Sequence, residues 1–320
     1  MTSTNGVFLD LATVDRGDMD LSTLESACER WTFHDRTAPD DVAERIADAD
    51  LVVTNKVVID RDLIETSNKL RWICIAATGT NNVDLDAARQ RGIAVANVTG
   101  YATPSVVQHV LAAILCHGTR LFEHHRAVRA GDWSRHDQFC LLNHSFGELD
   151  GQVLGIVGYG ELGRGVARGA GRLGLKVLVA QRPNGPDQPG RIPLNELLPQ
   201  VDILSLHCPL TDDTRNLIGA RELAAMKPSA LLINTARGGI VNEPALADAL
   251  RRGVIGGAAV DVLTEEPPRA DHPLLAPDIP DLIVTPHIAW ASVQSRQRML
   301  NEVAENIRAF DRGEPRNRVA

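Results

Sequence analysis

No stretch of this sequence runs for the ~18 uninterrupted apolar residues that a membrane-crossing helix requires. Its start, MTSTNGVFLDLATVDRGD, lacks a basic segment followed by an apolar run, so no membrane partner is expected and the cytoplasm is the expected location. Dense runs of Lys and Arg are missing too. With 33 basic against 41 acidic residues the net charge is -8, which argues against a nucleic-acid partner. Cysteine is sparse: Cys28, Cys74, Cys116, Cys140 and Cys208 show no CxxC spacing and mostly sit in apolar runs, predicting reduced core thiols. HExxH is absent, and the adjacent His124 and His125 point in different directions from a helix, so no metal site is expected. There is no GxSxG elbow for a serine nucleophile, no repeat of solenoid period and no low-complexity tract.

What is present is a rhythm. The 320 residues, 44% of them apolar, suffice for two domains. Short β-rich runs, VFLD, TFHD, LVVTN, WICIAATG and IAVANV, alternate with helical stretches such as DDVAERIADAD, which predicts parallel α/β structure. One long helical pattern then opens at Pro104, PSVVQHVLAAILCHGTRLFEHHRAVRAG, with Thr103 as its expected N-cap. After an irregular stretch, six further strands are predicted at VLGIVG, KVLVA, DILSLHCP, ALLINTARGG, GAAVDVL and LIVTPHIA, as a doubly wound nucleotide fold requires. An amphipathic helix, SVQSRQRMLNEVAENIRAFDRG, closes the chain and is expected to return to the first domain.

Gly158, Gly160 and Gly163 form GxGxxG between the strand Val153 to Val157 and a helix whose apolar face is Leu162, Val166, Ala170 and Leu173. In that context Gly158 permits a tight turn, Gly160 lets amides approach a pyrophosphate, and Gly163 lets helix and strand pack closely. The helix N-terminus, at Glu161 and Leu162, then faces the anion. The next strand ends at Gln181 and Arg182, where an acid usually binds the adenosine ribose 2′-hydroxyl. Gln181 does not repel a 2′-phosphate and Arg182 can pair with one, so NADP, or dual use of NADP and NAD, is expected over strict NAD.

Three further side chains fall just past successive strands of the second half: Arg237, Glu266 and His287. Each alone has an ordinary structural reading, as a surface cation, a solvated acid beside Glu265, or a packed histidine. Together they share the edge where parallel sheets bind ligands. Reduction of a 2-oxo acid needs a hydride donor, a cation for the carboxylate and an acid for the carbonyl oxygen. Arg237 offers a fixed fork of donors, His287 a proton near neutral pH, and Glu266 a partner that fixes the histidine tautomer.

Over essentially its whole length the sequence resembles the D-isomer-specific 2-hydroxyacid dehydrogenase family. The blocks that carry the likeness are ATGTNNVDL, TPSVVQHVLAAIL, GIVGYGELGR, LHCPLTDDTRNLIG, INTARGG, AAVDVLTEEPP and TPHIAW. TPSVVQHV, DQFCLL and GIVGYGELGR are most similar to the bacterial glycerate dehydrogenases, or hydroxypyruvate reductases, within it. The resemblance implies two α/β domains, a Rossmann cofactor domain inserted into a flavodoxin-like substrate domain, with boundaries at 1–102, 103–288 and 289–320, and a homodimer. It implies Arg237, Glu266 and His287 as catalytic residues and Ala77, Thr78 and Gly79 as a cradle for the substrate carboxylate. Asp261 is expected to hold the nicotinamide carboxamide, Thr235 and Ala236 to line the cofactor, and Cys208 and Pro209 to lie near its adenosine. Asn55 and Trp290 are candidates to shape the substrate pocket, with core packing an equally good account of Trp290. Formate dehydrogenases carry Gln where Glu266 stands, and phosphite dehydrogenases carry a Lys that IAATG lacks, so neither formate nor phosphite is expected; the likeness to glycerate dehydrogenases implies hydroxypyruvate or glyoxylate as the substrate. The alternative is a nucleotide-gated, corepressor-like binding protein of the same fold.

Overall fold

A computed structural model describes residues 5–186 and 188–320. The chain divides into two compact units, Met1–Ala102 with Trp290–Ala320, and Thr103–Ala289. Ala289 stays with the second unit, one residue beyond the expected crossing, because its amide donates to Asp261 Oδ2 at 2.9 Å.

The first unit is built on β1 (Asn5–Phe8), β2 (Arg30–Phe33), β3 (Leu51–Thr54), β4 (Trp72–Ile75) and β5 (Ala94–Ala96). Their order is β2-β1-β3-β4-β5 and every pairing is parallel, which is the flavodoxin-like arrangement. Side chains alternate along each strand, and both faces are covered. Phe8, Leu51, Val53, Trp72 and Cys74 face one apolar cluster, whereas Val7, Leu9, Val52, Ile73 and Ile75 face another. The helix Val293–Asp311 supplies the first cluster with Met299, Leu300, Val303, Ala304 and Ile307, the i, i+4, i+8 stripe of an amphipathic helix. Ser292 caps that helix, and Phe310 near its end stacks on Trp72 with ring centroids 4.4 Å apart.

The second unit carries β6 (Val153–Val157), β7 (Lys176–Val179), β8 (Ile203–Leu206), β9 (Leu231–Asn234), β10 (Gly257–Val260) and β11 (Leu282–Val284). The order is β11-β10-β9-β8-β6-β7, again all parallel, with a single parallel bridge from Ala180 to Ile192 extending it beyond β7. The order reverses between β6 and β8, and that switch point is where a doubly wound sheet opens a ligand crevice at its carboxyl edge. Every expected strand is present but stops short of the end of the segment that announced it, so the chemically interesting residues stand in the loops beyond.

Two local expectations need correction. The long helix is interrupted: one helix spans Thr103–Gly118, a second spans Leu121–Arg129, and Arg120 between them is left-handed at φ 50°. Gly118 is a poor helix former, and the Arg120 guanidinium turns aside to pair with Asp281. Thr103 lies inside the first helix, and its hydroxyl donates to Glu161 Oε1 at 2.5 Å. The cysteines also divide: all five are free, but only Cys74 and Cys208 are buried, the other three being half-buried. Cys74 sits on an interior strand and Cys208 stands two residues past one, whereas Cys140 lies in the irregular stretch.

Candidate active site

The histidine turn begins one residue past β11. Thr285 still donates to Val260 O at 3.0 Å, and the chain then bends through His287, held left-handed at φ 53°. A non-glycine residue stays in that region only when its surroundings fix it. Here the His287 amide donates to Asp261 O at 2.8 Å and to Thr285 O at 3.0 Å. Asp261 is 3% exposed, and its carboxylate takes Thr285 Oγ1 at 2.5 Å and the amides of Ile288 and Ala289, each at 2.9 Å. The tip of β10 thereby grips the turn on both sides of the histidine.

His287 Nδ1 lies 2.6 Å from Glu266 Oε2, while Glu266 Oε1 accepts the Leu263 amide at 2.9 Å. A carboxylate accepts only, so Nδ1 carries the hydrogen in this pair and Nε2 is the nitrogen left to exchange a proton. The loop bearing Glu266 is itself fastened. Glu243, 8% exposed, accepts the Thr264 amide at 2.7 Å and hydroxyl at 2.9 Å, and lies 2.9 Å from His272 Nε2. His272 Nδ1 accepts the Leu274 amide at 3.2 Å, so Nε2 is the nitrogen that donates to Glu243.

Arg237 follows β9 on the same edge, half-buried. Its Nη1 donates to Ala236 O at 2.7 Å, and among the described residues no acid pairs with it. Asn234, 1% exposed, shapes this loop by donating to Arg237 O at 3.0 Å and accepting the Ala236 amide at 3.1 Å. The following glycine is obligatory for close approach, because a Cβ on Gly238 would overlap the carbonyl group of Leu263. The arginine loop thus abuts the backbone residue whose amide Glu266 binds. Asn234, Gly238 and Glu243 escaped sequence reading; only the doubled glycine of INTARGG hinted at a tight approach.

The nucleotide loop has the shape its glycines suggested. Gly158 has φ +90°, and a Cβ there would stand 2.5 Å from His207 C; one on Gly163 would overlap the carbonyl oxygen of Gly158. Space beside Gly160 is open, and the helix Glu161–Gly171 begins there with no side-chain cap, leaving first-turn amides for an anion. At the tip of β9 the Thr235 hydroxyl is buried with no partner among the described residues. An open glycine, an uncapped helix and an orphaned buried hydroxyl on one edge fit a dinucleotide. Leu162 is half-buried, Glu161 and Pro209 are exposed, and Ala236 is buried. Burial pushes the Cys208 thiol up to about 11, which keeps it protonated and makes it a packing residue. Gln181 donates from its amide to Ile192 O at 2.8 Å, and Arg182 is exposed beside it.

In the first unit Ala77, Thr78 and Gly79 follow β4 as a loop, pinned by Thr78 Oγ1 to Val98 O at 2.9 Å and by Asn97 Nδ2 to Thr78 O at 2.7 Å. Asn55 is 4% exposed and donates to Thr13 Oγ1 at 2.9 Å, and Trp290 packs edge-on to Tyr101 at 6.2 Å. No group of three or more potential metal ligands occurs among the described residues, and no helix among them is long and apolar enough to cross a membrane.

A doubly wound sheet with a glycine loop, and with Arg, Glu and His at its carboxyl edge, defines a nucleotide-dependent oxidoreductase. Residues 111–289 match the model for the D-isomer specific 2-hydroxyacid dehydrogenase, NAD binding domain. The chain is 40% identical over 308 residues to a glycerate dehydrogenase of Methylorubrum extorquens, covering 96% of this chain and 97% of that one. It is 37% identical over 322 residues to a hydroxypyruvate reductase of Blautia hydrogenotrophica, covering 98% of each. A crystal structure of a protein from Thermus thermophilus superposes with a TM-score of 0.84 at 32% identity, covering 99% of this chain and 100% of that one. The chain belongs to the D-isomer-specific 2-hydroxyacid dehydrogenase family and is an oxidoreductase with an NAD(P)-binding domain.

One half-buried histidine beside the nucleotide loop, its Nδ1 fully enclosed, makes stability depend on pH. His207 Nε2 lies 2.9 Å from Ser205 Oγ, Nδ1 has no partner among the described residues, and burial pushes its pKa from 6.5 down to about 4. The unfolded chain takes up this proton below 6.5, the folded chain only near 4, so stability present at neutral pH is lost as pH falls through that window. Urea unfolding should show His207 contributing ~1–3 kcal/mol to the loss between about pH 7 and about pH 4.5. The variant His207→Gln should flatten the slope by that amount; an unchanged slope would contradict the burial argument.

Proposed function

We propose that the protein reduces a small 2-oxo acid, hydroxypyruvate or glyoxylate, to the D-2-hydroxy acid, using NADPH or both reduced dinucleotides. The observation that carries this reading is the 2.6 Å His287–Glu266 pair on the sheet edge that also bears Arg237, a cation with no acid partner among the described residues. The glycerate dehydrogenase and hydroxypyruvate reductase relatives support the substrate class.

Arg237 binds the carboxylate and carbonyl oxygens with its guanidinium fork. When bound, the reduced nicotinamide supplies the hydride to the keto carbon. His287 delivers the Nε2 proton to the carbonyl oxygen as the alkoxide charge develops, and Glu266 holds the ring in that orientation. In the reverse direction His287 Nε2 takes the hydroxyl proton. Ala77, Thr78 and Gly79 are proposed as substrate contacts. Gly158, Gly160, Gly163 and the amides of Glu161 and Leu162 are assigned to the pyrophosphate, Thr235 and Ala236 to the nicotinamide side, and Cys208 and Pro209 to the adenosine. Asp261 is assigned to the nicotinamide carboxamide through what remains of its carboxylate beyond the three donors already bound. A cytoplasmic homodimer belongs to the same reading, supported by Trp133, Phe139, Leu142 and Phe146, which are 51–89% exposed within one irregular stretch. Nothing in the comparisons favours the corepressor-like alternative.

The ribose end supports use of NADPH. Besides Gln181 and exposed Arg182, Arg191 stands with its guanidinium carbon 4.7 Å from the Tyr159 ring centroid, a second cation beside the glycine loop. Sequence reading did not find it, since it lies nine residues beyond Arg182, on the segment bridged to Ala180.

Steady-state turnover with NADPH and NADH, each against hydroxypyruvate, glyoxylate and pyruvate, tests the function; no turnover with any of them would overturn it. His287→Ala should lower kcat by at least ~10², and wild-type turnover would remove His287 from the mechanism. Gln181→Asp should shift preference toward NADH, since a carboxylate repels the 2′-phosphate; an unmoved ratio of kcat/KM would contradict the ribose assignment.

A further inference from the structure

We infer that His109 is a positioning residue for His287, acting through Thr285 and Asp261. The inference rests on the reading of His287 as proton donor. His109 lies on the helix Thr103–Gly118, far from the histidine turn in sequence, with its side chain 23% exposed. Its Nε2 is 3.2 Å from Thr285 Oγ1 and 3.9 Å from Asp261 Oδ1.

The direction of these bonds follows from what each group can do. Asp261 accepts, so the one hydroxyl hydrogen of Thr285 is committed to Oδ1, 2.5 Å away. Thr285 Oγ1 can then meet His109 only as an acceptor, and His109 Nε2 must carry a hydrogen. The order is therefore His109 Nε2–H to Thr285 Oγ1–H to the Asp261 carboxylate, whose other donors are the amides of Ile288 and Ala289. The Asp261 side chain is 1% exposed, and among the described residues His109 is the one basic side chain within 4.0 Å of it. A carboxylate so enclosed depends on each donor it has.

The same helix holds the turn a second time. Ser105 Oγ donates to Ala289 O at 2.7 Å, and Ser105 and His109, four residues apart, share one helix face. One end of the His287 turn is thus fixed to the helix directly, the other through Thr285. Without His109 the chain loses its outermost donor, Thr285 gains freedom to rotate, and the left-handed turn loses part of what fixes the imidazole against Glu266.

The test compares His109→Leu, His109→Gln, Thr285→Val and the Leu/Val double variant with wild type, using kcat, KM for both substrates, nucleotide dissociation constants and thermal midpoints, with His287→Ala in parallel. Leu should lower kcat about tenfold or more while nucleotide affinity stays within about twofold, since misplacement of a reacting group falls on kcat. Gln, which keeps a donor near the Nε2 position, should recover most of kcat. The double variant should be no slower than the slower single variant, because both cut one chain. Leu within about twofold of wild type, Gln as impaired as Leu, or multiplying effects in the double variant would each overturn the inference. If Leu does not fold, Gln and Thr285→Val decide by the same criteria. Wild-type turnover in His287→Ala would instead overturn the reading on which the inference rests.

Discussion

The 2.6 Å contact between His287 Nδ1 and Glu266 Oε2 is the constraint on which the site depends. It joins loops that leave neighbouring parallel strands, each fastened on its own side. The histidine side is a left-handed turn clamped by Asp261; the glutamate side is a loop bolted through Thr264 to buried Glu243 and pressed against Gly238. Hydrogen bonds to charged groups of this kind contribute about 1.5–3 kcal/mol each, and they also fix direction, which is what proton transfer requires. With Nδ1 held by Glu266, Nε2 is the nitrogen left for proton exchange, on the edge where Arg237 also stands.

Much of this was visible in the sequence, and the reason is physical. Buried parallel strands are short continuous apolar runs, so all eleven strands could be read from runs such as LVVT and LLIN. Glycine spacing disclosed the nucleotide turn because a Cβ at Gly158 or Gly163 would strike backbone. The Arg, Glu and His could be grouped because each follows a strand of one parallel sheet. What stayed hidden was whatever depends on a partner remote in the chain. Glu243 carries no local signal, because the groups it holds, Thr264 and His272, lie 21 and 29 residues further on, and Thr103 looked like a cap until Glu161 took its hydroxyl. The break at Arg120 follows from a pairing with Asp281, 161 residues away, that no local pattern announces.

The ribose end shows how a missing residue can be informative. No acid follows β7; Gln181 and Arg182 stand there instead, on the sheet that also carries the open Gly160 and the orphaned Thr235 hydroxyl. Arg182 and Arg191 bracket the segment that bridges Ala180 to Ile192, and Asp187 between them lies outside the described residues. In the proposed function the β7 tip faces the adenosine ribose, whereas Arg237, Glu266 and His287 follow β9, β10 and β11.

The role of the His287–Glu266 pair is tested most directly by the turnover of Glu266→Gln. An amide keeps an acceptor near Nδ1 and nearly the same volume but carries no charge to stabilise the ring that gives up the proton. The kcat of this variant should lie at least about tenfold below wild type with nucleotide affinity unchanged. Wild-type kcat in that variant would show that the carboxylate beside His287 is not part of the reaction.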